Sequence, residues 1–170
     1  MRSDEALLEA VRAKDLAAFD ELYARHERAL FGFIQAHLKD RAESEDVLHE
    51  TFVVVLTAPR VQVQTVRAWL FSIARNACLN RLRARKHREQ VPLGFPEPPP
   101  GAHEVLEHHQ QKVVLASAVA RLPDEQQQLF HLRAKGLSYA ELSDVLAVPL
   151  GTIKSRLHEL VRRLRQSLDP

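Results

Sequence analysis

Five of the chain's nine prolines fall between Pro92 and Pro100, and this cluster limits the fold more than any other feature of the sequence. Proline has no backbone N–H and a fixed φ, so such a run can neither continue a helix nor sit inside a sheet. With Gly94 and Gly101 added, the segment VPLGFPEPPPGAHEVLEHHQQ favours an extended, poorly packed linker at its front. A length of 170 residues fits one ordinary domain or two small ones, and the linker decides for two. The expected division is a front domain over 1–90, a Pro-rich linker over 91–111 and a rear domain over 112–170.

Both flanks read as helical. In the front half apolar residues recur three and four apart: Leu7, Leu8 and Val11, then Phe19, Leu22 and Tyr23, then Leu30, Phe31 and Ile34. No alternating strand pattern competes, and only TAPRVQVQT, Thr57 to Thr65, breaks the rhythm, as a loop between two helices. Behind the linker the pattern predicts four helices, near Glu104–Arg121, Asp124–Lys135, Ser138–Ala147 and Thr152–Leu168. Pro123 suits a first turn and Gly136 a helix end. Ser138 with Glu141 three residues on reads as a capping box. Val148-Pro149-Leu150-Gly151 is a tight turn with Thr152 expected as the next cap, so the last two helices form a helix-turn-helix. The fold class is all-α.

The formal net charge of +2 conceals segregated blocks. Asp40 to Glu50 holds Asp40, Glu43, Glu45, Asp46 and Glu50 against Arg41 alone. Arg67 to Arg88 holds Arg67, Arg75, Arg81, Arg83, Arg85, Lys86 and Arg88 with no acid. One block suits a basic partner and the other a polyanion. Hydrophobic residues at 45% with 27% charged residues exclude a disordered chain. The longest apolar run, Phe52 to Leu56, is far short of the ~20 residues that span a bilayer, so no membrane insertion is expected. Met1 to Ala10 carries acids in place of a secretory pattern, and the lone Cys78 can form no internal disulfide; a cytoplasmic location is expected.

Two helices carry the chemistry. The last one sets Ile153, Leu157, Leu160, Val161, Leu164 and Leu168 in one stripe and leaves Lys154, Ser155, Arg156, His158, Arg162, Arg163 and Arg165 largely outside it. In a helix-turn-helix the second helix enters the major groove by its N-terminal end, where its dipole and free amides favour phosphate, and Lys154, Ser155 and Arg156 stand there. RAWLFSIARNACLNRLRARKHR, projected at about 100° per residue, puts Leu70, Phe71, Ile73, Ala74, Ala77, Cys78 and Leu82 in one half. Arg75, Asn76, Asn80, Arg83, Lys86 and Trp69 fall in the other. An aromatic among amides and guanidiniums is the make-up of a single-strand platform, on which bases stack and phosphates are neutralised. Simple packing under the preceding loop is the competing reading for Trp69.

Taken in order, three segments resemble the extracytoplasmic-function (ECF) group of sigma factors. Ala18 to Phe52 is similar to the group's opening segments, RAWLFSIARNACLNRLRARKHR to the segment that engages the melted minus-ten element, and Leu122 to Leu168 to the domain that reads the minus-thirty-five element. The resemblance implies a sigma region 2-like bundle and a sigma region 4-like helix-turn-helix domain. It further implies core-polymerase docking through Glu43, Glu45, Asp46, His49, Glu50 and Phe52. For the minus-ten element it implies a base pocket over Ala58 to Thr65, with Arg60, Arg67, Trp69, Arg75, Asn76, Asn80, Arg83 and Lys86. For the minus-thirty-five element it implies Pro149, Gly151, Thr152, Lys154, Ser155, Arg156 and His158. His49 stands where the group usually has Gln, Asn80 where Asp is common, and Glu159 where a basic residue is common. The implied partners are core RNA polymerase, promoter DNA as duplex and as melted single strand, and an anti-sigma factor.

Other readings are weaker. His87, His103, His108 and His109 lie near the linker without zinc-finger spacing, so no metal or cofactor is expected. There is no Gly-rich phosphate loop and no nucleophile motif, and an enzyme is not expected. A duplex-binding repressor or activator would leave the front basic helix unexplained, and a helical adaptor would need neither basic patch.

Overall fold

The computed structural model describes residues 1–59, 64–89 and 106–168, and eight helices run through them. They are α1 (Asp4–Arg12), α2 (Leu16–Leu38), α3 (Arg41–Thr57), α4 (Val66–Glu89), α5 (Leu106–Ala120), α6 (Asp124–Ala134), α7 (Tyr139–Leu146) and α8 (Leu150–Leu168). The fold is all-α. α5 starts inside the stretch read as linker; the proline cluster and Arg60 lie outside the described residues.

Helix starts follow the cap chemistry written in the sequence. The side chains of Ser3, Asp15 and Asp40 accept from the backbone N–H groups of Ala6, Ala18 and Glu43, satisfying donors that a helix start leaves orphaned. Thr65 does the same for α4, its Oγ1 accepting from Ala68 at 3.1 Å. At α7 the Ser138–Glu141 capping box is present in both directions. Pro123 stands at the cap of α6, one residue earlier than expected. Thr152 is not a cap: α8 begins at Leu150, and the Pro149 carbonyl accepts from the N–H groups of Thr152 and Ile153. Proline's fixed φ starts the helix two residues sooner than the hydroxyl suggested.

Helices α1 to α4 close around Leu7, Leu22, Leu30, Phe33, Ile34, Val47, Leu70 and Phe71. Phe71 meets Phe33 edge-on, with ring centroids 5.5 Å apart, a favoured aromatic arrangement. Asp4 pins α1 to α2 by accepting from Arg25 at 2.7 Å and pairing with His26 at 2.6 Å. Cys78 is buried in this core, and burial pushes its thiol up to about 12, so it packs as a small hydrophobe. In the rear, Leu129, Leu132, Leu137, Leu142, Val145, Ile153, Leu157, Leu160 and Leu164 hold α6, α7 and α8 together, and α5 lies along α8. The two halves also touch: α7 lies against α4, and α6 against the end of α2.

Candidate nucleic-acid interface

The α8 end of the molecule is open. Lys154, Ser155 and His158 are exposed, with Pro149 exposed just before the helix, Gly151 exposed in its first turn and Thr152 half-buried. Ile153 and Leu157 anchor the opposite face in the rear core. Arg156 leans across to Glu125 of α6 at 3.4 Å, an ion pair with its carboxylate in solvent and so of small worth. Further along, Glu159 accepts from Arg162 and Arg163, and these two guanidiniums hold its carboxyl down at about 2. One carboxylate offsets one of the three exposed arginines Arg162, Arg163 and Arg165, so the cationic surface of α8 runs along the whole helix, and the helix dipole adds to it only at the N-terminal end.

The α4 face is partly covered. Asn76, Asn80, Arg83 and Lys86 are exposed, whereas Trp69 is half-buried and packs against the core. Arg67 donates to the backbone carbonyl of Lys135, just past the end of α6, and Arg75 donates from Nε to Gln128 Oε1 at 2.7 Å. Burial pulls the Arg75 guanidinium below its ordinary range; Glu125 opposes this and Arg83 adds to it. Between this face, the end of α2 and α6 runs a cleft of about 440 Å³ lined by His37, Lys39, Arg83, Lys86, Asp124 and Gln128 among others.

The acidic block lies on α3. Glu45, Asp46, His49 and Glu50 are exposed. Glu45 accepts from Arg41 at 3.0 Å, Glu50 from Arg81, and half-buried Glu43 from Arg85. Phe52 is elsewhere: at 3% exposure it packs against Tyr23 with the rings tilted and meets Phe19 edge-on, so its side chain serves the front core and offers no docking surface. Sequence reasoning also passed over Arg81 and Arg85, which join the two charge blocks it had kept apart. Their signal was present, since two blocks of opposite sign one helix apart in a small bundle attract each other.

Residues 22–88 match the Sigma-70 region 2 family, and residues 112–164 match Sigma-70, region 4. Over 170 residues, 96% of this chain and 94% of the relative, the chain is 32% identical to the ECF RNA polymerase sigma factor RpoE of Cereibacter sphaeroides. The chain belongs to the ECF RNA polymerase sigma factors. This sigma factor is likewise 32% identical to SigM of Mycobacterium tuberculosis, over 98% of its own length and 85% of the relative's. The solved structure of CnrH in complex with the cytosolic domain of CnrY matches at TM-score 0.73 and 23% identity, over 99% of this chain and 98% of that one. Sigma factor RpoE in complex with the anti-sigma factor NepR from Bartonella quintana matches at 0.67 and 23%, over 88% and 96%. These structures support the fold. As an ECF sigma factor, the protein is an alternative sigma factor that directs transcription initiation. Sigma factors are non-catalytic regulatory subunits. Among the described residues no helix is long and apolar enough to cross a membrane.

Proposed function

We propose that this sigma factor divides promoter recognition between its two halves. The front domain, 1–90, docks on core RNA polymerase through the exposed acidic ridge of Glu45, Asp46, His49 and Glu50. It engages the melted minus-ten element through the loop before α4 together with Trp69, Asn76, Asn80, Arg83 and Lys86, and with Arg67 and Arg75 once these are free. The rear domain, 112–170, reads the minus-thirty-five duplex with Lys154, Ser155, Arg156 and His158. The chain works in the cytoplasm as a polymerase subunit without catalysis of its own, and an anti-sigma factor, as in the NepR complex of its structural neighbour, restrains it.

The observation that carries this reading is the open N-terminal half of α8. Two anchored apolar residues, Ile153 and Leu157, turn a cation, a hydroxyl and an imidazole outward at the positive end of a helix. Such an end fits the major groove, where phosphates fix register and base edges give sequence.

The test is promoter-directed transcription by core polymerase supplied with the purified chain. Initiation at a defined site is expected. Duplex binding without initiation would mark a repressor, and neither activity would mark an adaptor. Asp46→Arg inverts an exposed acid in the middle of the ridge. It is expected to abolish co-purification with core while leaving helicity intact; undiminished co-purification would remove α3 from the docking surface.

A further inference from the structure

Where the end of α2 approaches α5 and α6, the molecule leaves a hollow of about 440 Å³ that neither the docking ridge nor the DNA-reading helices use. Its walls are apolar: Ala36 of α2, Leu115, Ala116, Val119 and Ala120 of α5, and Phe130 of α6. The three alanines leave open the space that longer side chains would fill. Polar groups are few. Gln127 is already engaged, its amide nitrogen donating to the carbonyls of Ala120 at 3.2 Å and Leu122 at 2.8 Å. His131 presents an uncharged ring, because burial lowers it to about 4 and Lys39 is among the cations that add repulsion. The remaining polar groups are Lys39, at the C-terminal cap of α2, and Lys112 of α5; both line the hollow and both are exposed. Lysines so placed lay their methylene stems along the wall and hold their ammonium groups at the mouth. No carboxylate among the described residues lines the hollow. The neighbouring cleft shares Ala36, Lys39 and Gln127 with it and adds Arg83 and Lys86 against the single acid Asp124, so a ligand entering from either side meets positive charge.

We infer that this hollow is a binding site for a free medium-chain fatty acid: the aliphatic chain lies among Ala36, Ala116, Val119 and Phe130, and the carboxylate pairs with Lys39 and Lys112 at the mouth. Small-ligand sites are of this size, mostly apolar, with a few polar groups that fix orientation. Two unbalanced ammonium groups repel an aliphatic amine and give an uncharged chain nothing in return for its head group, whereas a carboxylate gains charge-assisted hydrogen bonds from both. A volume of about 440 Å³ admits one such chain and not the two of a diacyl lipid. None of the walls belongs to α3, α4 or α8, so the site stands or falls apart from the surfaces assigned to polymerase and promoter. The occupant touches α2 of the front half and α5 and α6 of the rear half, so it stabilises the folded chain in proportion to its occupancy.

The test is calorimetric titration of the full chain with sodium octanoate, nonanoate and decanoate below their micelle-forming concentrations, with 1-octanol as the uncharged control. Methyl resonances of alanine and valine locate the ligand. One-to-one binding is expected, tightening about fourfold with each added methylene, together with shifts at Ala36, Ala116 and Val119. Octanol is expected to bind about tenfold more weakly than octanoate or worse. Lys39→Gln with Lys112→Gln is expected to bring octanoate down to the level of octanol. Ala116→Trp, which fills the hollow from an exposed position on α5, is expected to abolish binding of every acid with circular dichroism unchanged. Equal affinity for octanol and octanoate would overturn the inference, and so would binding that survives Ala116→Trp. Binding of an acidic apolar peptide in place of any fatty acid would also overturn it and give the hollow to a protein partner. The same preparation is assayed for initiation with core polymerase: an active sigma factor that binds no fatty acid refutes this site alone, whereas a chain that binds decanoate but cannot initiate refutes the promoter and polymerase surfaces alone.

Discussion

Helices α4 and α8 have much the same ingredients, a stripe of apolar residues on one side and arginines, lysines and amides on the other, yet the fold treats them oppositely. The first turns of α8 face solvent, with only a weak pair between Arg156 and Glu125 across them. On α4 the corresponding cations are engaged by protein oxygens from the other half of the chain. A basic helix face is therefore not by itself a free binding surface. α8 packs its apolar side on α5, α6 and α7 and keeps its basic side outward, whereas α4 closes the front bundle and is flanked by α7.

The comparison can be broken most forcefully through the two cores. Phe71→Ala empties a fully buried site against Phe33 and is expected to cost about 3–5 kcal/mol, unfolding the front bundle. Duplex binding through α8 should survive, as measured by titration of upstream duplex DNA, and disappearance of both together would mean that the halves fold as one unit. Next in size is the double replacement Lys154→Ala with Arg156→Ala. It is expected to weaken duplex binding by the free chain by a few kcal/mol, at about 1–3 per base-reading pair, or to flatten the salt slope by about 0.9 for each phosphate no longer neutralised. An unaltered upstream footprint would take α8 out of recognition.

A smaller effect concerns acid. Burial lowers His131 to about 4, with His37, Lys135 and Lys39 adding repulsion. Burial also lowers His37, opposed by its hydrogen bond to Phe33, with Arg75 lowering it and Asp124 raising it. A depressed histidine is neutral in the packed state and protonates more readily once released, so packing is favoured above pH 6.5 and weakens as pH falls toward about 4. The distance between spin labels on cysteines introduced at exposed Arg28 of α2 and Asp144 of α7, read by pulsed electron resonance, is expected to lengthen over that window; a constant distance from pH 7 to 4.5 would detach the histidine pair from the packing of the two halves. Smallest of all, Ser138→Ala removes the α7 cap and should cost about 1 kcal/mol in thermal stability while leaving the α4 fold unchanged.

Much of this architecture was legible in the sequence because it depends on local chemistry. Three- and four-residue spacing located the helices, Ser138 and Glu141 announced α7, and the tight turn at Pro149 announced the helix-turn-helix. The misreadings share one cause, competition between neighbours that a linear pattern does not contain. Phe52 adjoins the acidic ridge in sequence but faces Tyr23 and Phe19 in space. Thr152 is a good cap displaced by a proline that starts the helix earlier. The covering of Arg67 and Arg75 depends on partners 68 and 53 positions away, beyond any helical period.

The pairing of Arg81 with Glu50 and of Arg85 with Glu43 has a bearing on life among chromosomal DNA. With Arg67 and Arg75 also engaged, the seven cations between Arg67 and Arg88 leave Arg83, Lys86 and Arg88 as the exposed ones. Non-specific adhesion to any sequence grows with each phosphate neutralised, and random sites in a genome outnumber promoters by orders of magnitude. A front helix that pairs Arg81 and Arg85 with its own carboxylates offers two fewer cations to such random sites.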